Sequence, residues 1–398
     1  VQENGNRVPI PYVAPPGVER EQLYNNNTLI KQNEQSLGMR VRGTGNNGLE
    51  PGDSRAVFKN VSVDMRQYKR LKMFLHAESM PLNDYSFNDD ELVGFIRFGN
   101  DFTDNFYQIE VPLKKTQSGA TNPEIIWPEA NRIDLALSLL TQLKIRSANH
   151  VIPPGQIYYP DLDSSVEGGD GDERLRLGIR GNPNFGLVRT LMVGVKNKTN
   201  EAGMTPRNLQ GEVWFNELRI AEMDNKGGVA AVASMDANVA DFATMSAMGK
   251  MSTIGFGGLE EKSNERSRDD IKQYNIVTNL SLGKLLPKKW GVTLPFNYGI
   301  GEEFITPKYD PYSQDIELTQ AMDIATSDAE RRNIRNRAMD YTKRRSVNFI
   351  GVRKERGEKQ KSHFYDPENI TLSYSYNQTE RHNYELENYV DQKVTTAA

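Results

Sequence analysis

The feature that most constrains the fold is a two-residue alternation of apolar and polar side chains beyond Lys226. Further alternating stretches follow at residues 276–282, 292–300, 372–376 and, more weakly, 384–390. A period of two is that of a β-strand, because successive side chains point to opposite faces of a sheet. The apolar side of the first stretch, within residues 231–249, carries Ala233, Met235, Ala237, Val239, Ala243, Met245 and Ala247. The second half of the chain is therefore predicted to be β-structure.

These stretches have the length and polarity of membrane-crossing strands. Each runs for about ten residues, the length that a tilted strand needs to cross a bilayer. Tyr and Phe stand near the ends of the apolar sides, as in interfacial girdles, while Ser, Thr and Asn occupy the other sides, as in a wet lumen. The predicted lipid-facing residues are Met235, Val239, Met245, Leu294, Phe296 and Tyr374. A second soluble sandwich would give the same alternation, so the pattern alone leaves both structures open.

Shorter strands separated by turns are predicted before residue 220. The alternating runs lie at 71–77, 92–98, 107–113, 175–179, 187–195 and 214–220. Many short strands of this kind are typical of an antiparallel β-sandwich. One helix is predicted near 133–143, where Ile133, Leu137, Leu140 and Lys144 recur at helical spacing. We expect a strand-and-loop lead-in over residues 1–55, with one weak strand at 36–41, and then a jelly-roll-like β-sandwich module over 56–222.

A helical and basic insertion is predicted at about residues 304–361, between the later strands. One or two helices are expected from 318 to 341, with a break or cap at Ser327. From Arg331 to Lys361 the sequence has 12 Lys and Arg against 3 Asp and Glu. Such a run could bind acidic lipid, nucleic acid or an acidic partner, or it could be a solvated loop. We expect a loop or a small helical element outside any bilayer.

The composition argues against several classes of function. With 49 Lys and Arg and 53 Asp and Glu, the net charge is −4, which argues against a protein that wraps nucleic acid. The absence of cysteine excludes thiol chemistry and disulfides. The four histidines are far apart, and no phosphate loop, nucleophile elbow or zinc motif occurs. A glycosidase would need a defined carboxylate pair, and nothing selects one. No enzymatic activity and no cofactor are expected.

Two further groups of residues could bind ligands. Weak calcium candidates are Asp161, Asp163, Asp170 and Asp172, although a solvated acidic loop has the same composition. Trp127, Trp214 and Trp290, with Tyr158 and Tyr159, could form a sugar-binding platform, although strand tryptophans more often pack in a core. The alternative function is therefore a secreted or surface β-sandwich that binds carbohydrate.

Long strings in the sequence resemble the SprA/Sov family, the outer-membrane translocons of the Bacteroidetes type IX secretion system, which is linked to gliding motility. The most specific strings lie at 211–220, 224–274, 286–318, 341–356 and 361–387, and weaker likeness occurs at 16–37 and 96–113. The sequence has no run of 18 apolar residues, no secretory signal and no initiator Met. We therefore interpret it as an internal piece of such a translocon.

The resemblance implies a large transmembrane β-barrel that exports folded cargo from the periplasm, and residues 223–398 would supply part of its wall. It implies a bacterial outer-membrane location, with the sandwich as a soluble insertion on the extracellular or periplasmic side. The implied partners are a smaller outer-membrane barrel shuttle protein, a periplasmic plug protein, secreted cargo with C-terminal signal domains, and outer-membrane lipid. No nucleic-acid partner is expected.

Overall fold

The fold is mainly β, with antiparallel sheets, in a computed structural model of the chain. The structure describes residues 10–18, 22–25, 28–31, 35–42, 47–80, 85–148, 150–160, 174–262, 265–325, 327–357, 361 and 363–398. The chain divides into two compact units, Val1–Asp224 and Asn225–Ala398. The prediction of a mainly β, antiparallel chain is thereby confirmed.

The first unit contains eleven strands and two α-helices among the residues described. The strands are β1 (Gln22–Asn25), β2 (Thr28–Lys31), β3 (Leu37–Val41), β4 (Ser54–Val63), β5 (Tyr68–Glu78), β6 (Leu92–Gly99), β7 (Phe106–Pro112), β8 (Ile133–Ala136), β9 (Arg176–Arg180), β10 (Val188–Asn197) and β11 (Gly211–Met223). The helices are α1 (Pro123–Ile126) and α2 (Leu137–Ala148). β3, β5, β6, β7, β9, β10 and β11 follow the predicted runs of the sequence, whereas β1, β2, β4 and β8 were not predicted.

Two antiparallel sheets of this unit share one hydrophobic core. The first has the strand order β4-β10-β6-β7-β9, and the second has the order β3-β11-β5-β8. Leu75 and Val213 of the second sheet belong to the same buried cluster as Ile96, Ile109 and Val195 of the first. Each of these five side chains is at most 1% exposed, so the sandwich is held together by burial of its inward-facing alternate residues.

The helix predicted near 133–143 begins later than expected. Ile133 and Leu135 lie in strand β8, where they pair with Met73 and Leu71 of β5. The helix follows from Leu137 and buries Leu140 toward the core. Ile133 and Leu135 are two residues apart, as apolar residues on one face of a strand are. The helical spacing of the residues that follow led to the assignment of Ile133 to the helix.

The outer face of strand β5 is covered, although its polar residues predicted a wet surface. His76 is fully buried, and its Nδ1 lies 2.8 Å from the carbonyl oxygen of Ile126. The Trp127 indole nitrogen donates to the carbonyl oxygen of Val13 at 2.8 Å. Residues around Ile10 and α1 therefore form a second small core on this face. Alternation within one strand does not reveal such a cover, because the covering residues are distant in sequence.

The second unit contains ten strands among the residues described, and seven of them have nine residues or more. They are β12 (Ala230–Val239), β13 (Ala243–Ser252), β14 (Asp269–Ser281), β15 (Val292–Thr293), β16 (Pro295–Pro307), β17 (Tyr309–Asp310), β18 (Ser313–Glu317), β19 (Asp340–Lys354), β20 (Thr371–His382) and β21 (Tyr389–Ala397). The helices are α3 (Leu318–Ile324) and α4 (Asp328–Ala338). None of the described helices combines the length and the hydropathy that a membrane-crossing helix needs.

Seven of these strands form an antiparallel meander. The order is β12-β13-β14-β16-β19-β20-β21, so each long strand pairs with the next long strand along the chain, and β15 also pairs with β19. Among the residues described, β12 pairs only with β13 and β21 only with β20. These seven strands therefore form an open sheet and do not close into a barrel.

The basic segment is the main correction to the sequence analysis. Residues 340–354 were expected to be a loop, but they form β19, which pairs with both β16 and β20 near the middle of the sheet. The helices expected around 318–341 are present, and the Ser327 hydroxyl caps α4 by accepting from the Glu330 amide at 3.2 Å. The insertion between β16 and β19 is thus shorter than predicted, at residues 308–339.

Candidate membrane-facing sheet

The register of the meander divides its side chains into two faces of different polarity. Side chains of directly paired residues lie on the same face of a sheet. One row therefore contains Val239, Ala243, Leu280, Phe296, Phe349 and Tyr374. The next row on that side contains Ala237, Met245, Thr278, Tyr298, Val347, Tyr376 and Val394. We call this side of the sheet the apolar face.

The residues predicted to face lipid come together on the apolar face. Met235, Val239, Met245, Phe296 and Tyr374 lie there by register. Leu294 immediately precedes β16, two residues before Phe296, and lines the same open groove as Phe349 and Tyr374. The ring centroids of Phe296 on β16 and Phe349 on the neighbouring strand β19 are 4.9 Å apart. Whether lipid contacts this face remains a prediction.

The opposite side, which we call the polar face, carries a ladder of hydrogen bonds between neighbouring strands. The Asn279 amide donates to Thr244 Oγ1 at 3.3 Å, and the Asn297 amide donates to Asn279 Oδ1 at 2.7 Å. The Asn348 amide donates to Asn297 Oδ1 at 2.9 Å, and the Ser375 hydroxyl donates to Asn348 Oδ1 at 2.6 Å. The ladder crosses five strands, so this row is hydrophilic without carrying charge.

Other rows of the polar face are mixed. Asp236, Ser246 and Asn377 continue the polar character, whereas Met248 and Val277 interrupt it. Most of the polar face nevertheless consists of groups that hydrogen-bond readily to water.

Neither face of the meander is packed beneath a second layer. Both hydrophobic clusters among the described residues belong to the first unit. Met235 and Val239 on the apolar face are 52% and 61% exposed. A sheet normally buries its apolar face against another element, because exposing apolar surface to water is unfavourable. The apolar face therefore requires a cover that the described residues of the second unit do not supply.

Polar and charged residues of β16, β19 and β20 mark one limit of the apolar face, where Arg345 and Gln378 share the row of Ile300. Two positions beyond Ile300, Glu302 forms an ion pair with Lys343, with 3.3 Å between Glu302 Oε1 and Lys343 Nζ. On β20, the Gln378 amide donates to Glu380 at 2.8 Å. The alternate apolar positions from Leu294, just before β16, to Ile300 span roughly 20 Å at the usual rise of a strand. That span is close to the band of about 25 Å that membrane strands present to hydrocarbon.

Comparison with known proteins gives the family. A family model named SprA_N, described as a motility related/secretion protein, matches residues 1–322. The chain belongs to the SprA family. The family predicted from the long strings is thereby confirmed, and membership relates the chain to secretion and motility and to the cell envelope. No curated protein matches the chain.

The other candidate sites gain no support in this SprA-family chain. Asp161, Asp163, Asp170 and Asp172 lie outside the described residues. The part of the chain that the structure describes has no cluster of three potential metal ligands. Trp127 is 3% exposed and packs 6.1 Å from the ring of Trp214. These two tryptophans form part of a core and not an exposed sugar platform.

Sequence reasoning missed two parts of the sheet. Val347 and Phe349 on β19 belong to the apolar face, but the cluster of basic residues beside them hid their alternation. The asparagine ladder was also missed. Its signal is an Asn at directly paired positions of three neighbouring strands, and these positions can be matched only when the register is known.

Proposed function

We propose that the meander is part of the membrane-spanning wall of an outer-membrane channel that exports proteins. The observation that supports this proposal is the seven-stranded sheet with one apolar and one polar face, neither of them covered. A bilayer would cover the apolar face, and water in a lumen would solvate the polar face. Both surfaces of the sheet would then be in their favourable solvents.

The ends of the strands fit the same arrangement. Trp290, Phe364 and Tyr365 are exposed beyond one end of the meander, and Tyr312 and Tyr384 are exposed beyond the other. Transmembrane barrels carry aromatic girdles at both interfaces, where the rings sit at the headgroup level. The aromatic residues thus stand where two interfaces would lie.

In this proposal the channel wall is completed by strands that pair with the open edges β12 and β21. Edge strands carry unpaired backbone groups, which are strongly unfavourable within hydrocarbon. A pore wide enough for a folded protein needs many strands, because the diameter of a barrel grows with their number. The chain would act without catalytic residues or cofactors.

The proposed partners follow from the resemblance to the SprA/Sov family. They are a smaller outer-membrane barrel shuttle protein, a periplasmic plug protein, and cargo proteins with C-terminal signal domains. The first unit would be a soluble insertion on the extracellular or the periplasmic side of the membrane. No observation favours the alternative of a carbohydrate-binding module, because its candidate tryptophans Trp127 and Trp214 are packed together.

Single-cysteine labelling of the protein in its native membrane tests this proposal, since the chain has no cysteine of its own. Met235→Cys and Ile276→Cys on the apolar face should resist a membrane-impermeant maleimide until detergent is added. Ser234→Cys and Asn275→Cys on the polar face should react before detergent. Equal reaction of both sets in the intact membrane would contradict the proposed wall.

The same variants test the passage of cargo. A photoactivatable crosslinker attached at Asn275→Cys should capture cargo during export, and one attached at Ile276→Cys should not. Capture from the apolar face alone would contradict a lumen on the polar face.

A further inference from the structure

The connection between β14 and β16, residues 282–294, exposes an unusual combination of apolar and basic side chains. Leu285 is 69% exposed and Trp290 is 56% exposed. Lys288 and Lys289, which lie between them, are also exposed. The connection contains three lysines and no acidic residue. Exposed leucine and tryptophan beside paired lysines are costly in water, and the same set suits the boundary of a bilayer.

This connection is fixed at its base, so its exposed residues are held in place. β15 pairs with the end of β19, matching Val292 with Lys354 and Thr293 with Arg353. The Glu355 amide donates to the carbonyl oxygen of Gly291 at 2.5 Å. Gly291 has a φ of 59°, a left-handed conformation that glycine adopts without strain, and it turns the chain back into β15.

Four other basic residues at this end of the sheet form ion pairs. Lys284 forms an ion pair with Asp241 in the β12–β13 turn. Lys354 is 2.8 Å from Glu368, and Arg356 is 3.2 Å from Asp366. Arg353 lies 3.8 Å from Glu355. Within the described residues, no carboxylate lies within ion-pair distance of Lys288 or Lys289.

The chemistry of this surface points to one kind of occupant. Lysine ammonium groups are compact point charges that lack the bidentate geometry with which arginine grips a single phosphate. Both lysines are exposed, and among the described residues no buried cation stands beside them to complete a phosphate-binding site. Two exposed charges next to a tryptophan therefore suit a diffuse anionic surface, such as a layer of phospholipid headgroups, better than one defined lipid phosphate.

We infer that residues 282–294 insert into the headgroup layer of a membrane that contains anionic phospholipid. Leu285 and Trp290 lie at the acyl boundary, and Lys288 and Lys289 lie against the phosphates. This inference rests on the proposed function, because it takes the sheet to stand in a bilayer. It adds that this end of the sheet binds anionic phospholipid in preference to neutral phospholipid.

Vesicle binding of the full chain tests the inference. The chain is transferred from detergent to vesicles of phosphatidylcholine alone, with phosphatidylglycerol added, or with lipid A added. The double variant K288Q/K289Q is compared with K226Q/K262Q, which removes two exposed lysines from the opposite end of the sheet. We expect K288Q/K289Q to lose about 30-fold in partitioning to the phosphatidylglycerol vesicles, and the control pair to behave as the wild type.

The emission of Trp290, obtained by subtracting the spectrum of W290F, gives a second readout. It should shift to shorter wavelength on the phosphatidylglycerol vesicles, and less so in K288Q/K289Q. Equal losses in the two double variants would overturn the inference, as would a loss confined to vesicles with lipid A. Wild-type partitioning by K288Q/K289Q would also overturn it, and an acidic protein surface would then be the better occupant.

The outcome separates this inference from the proposed function. If the wild-type chain stays monodisperse without detergent and ignores all vesicles, the membrane wall itself is contradicted. If the wild-type chain enters neutral and anionic vesicles equally well, the membrane wall is supported and only the lipid preference fails.

Discussion

At the residue scale, the sandwich contains a buried polar network centred on Glu110. Glu110 is 3% exposed, and its Oε1 accepts from Tyr159 at 2.7 Å and from Gln108 at 2.6 Å. Burial, and then the neighbouring Glu110 carboxylate, raise the pKa of the Tyr159 hydroxyl. Tyr159 can approach the sheet because Gly178 opposite it has no side chain; a Cβ there would lie 2.5 Å from its ring. The network thus fixes the chain that leads into residues 161–173.

The carboxylate of Glu91 should make the stability of the sandwich depend on pH. Burial raises its pKa, but hydrogen bonds from Arg207 and Asn88 outweigh burial and hold the pKa below its ordinary value of 4.5. A group whose pKa is lower in the folded state stabilises that state above the unfolded pKa. The stabilisation is lost as the pH falls through the folded pKa.

We expect Glu91→Gln to lower the free energy of unfolding by about 1 to 3 kcal/mol at neutral pH. The difference from wild type should shrink as the pH falls below the ordinary pKa of 4.5, and it should be lost once the pH is below the lowered pKa of folded Glu91, where wild-type Glu91 is also neutral. Urea unfolding, followed by the fluorescence of Trp127 and Trp214, measures the free energy of unfolding. The wild-type and Glu91→Gln proteins both carry W290F, so that Trp290 does not contribute to the signal. The control is Glu50→Gln, a change at an exposed side chain. A difference that does not vary with pH would contradict this explanation.

At the element scale, the apolar face gives a test that compares neighbouring residues of one strand. Met235 lies mid-strand in β12 on the apolar face, and Ser234 lies beside it on the polar face. In a bilayer, Met235→Arg should cost about 2–4 kcal/mol of unfolding free energy, and Ser234→Arg should cost close to none. Val239→Arg should cost only about 0–1 kcal/mol, because Val239 ends the strand beside the turn. Urea unfolding from lipid vesicles measures all three.

The three substitutions together separate the effect of the face from the effect of depth. A general intolerance of arginine in β12 would make Ser234→Arg as costly as Met235→Arg. That result would contradict a lipid-facing apolar side, even if both variants were destabilised.

How much could be predicted from the sequence depended on how local each signal was. The alternation in β12 and β13 placed Met235 and Met245 on one face, and a hairpin turn of three residues keeps them on that face. The strand β19 was missed because Lys343, Arg344 and Arg345 gave it the composition of a solvated loop. The charge of Lys343 is tolerated because it pairs with Glu302 of β16, a contact that only the register creates.

The candidate site could likewise be predicted only where its sequence signal was local. Five of the predicted lipid-facing residues belong to strands with clear alternation, and the register brings them together. The cover over His76 could not be predicted, because it comes from residues about 50 to 66 positions away in sequence, at Ile10 and Ile126. Long-range contacts of this kind leave no period in the local sequence.

At the scale of the whole molecule, the two units solve the problem of apolar surface differently. The first unit buries its apolar residues between two sheets and under a second small core. Among the described hydrophobic residues of the second unit, the buried ones lie in the insertion, at Tyr309, Ile316, Leu318 and Ala338. Because a single uncovered sheet gains little from burial in water, the second unit should be stable only where another phase covers it.

This contrast predicts opposite behaviour for the separated units. A chain of residues 1–224 should be monodisperse in buffer, because its core is complete. A chain of residues 225–398 should need detergent, and removing the detergent should cause aggregation through the apolar face and the open edges β12 and β21. Size-exclusion chromatography with light scattering, with and without detergent, measures both. A compact monomer of residues 225–398 in plain buffer would mean that the apolar face finds a cover within the chain itself, and the membrane wall would then have no physical basis.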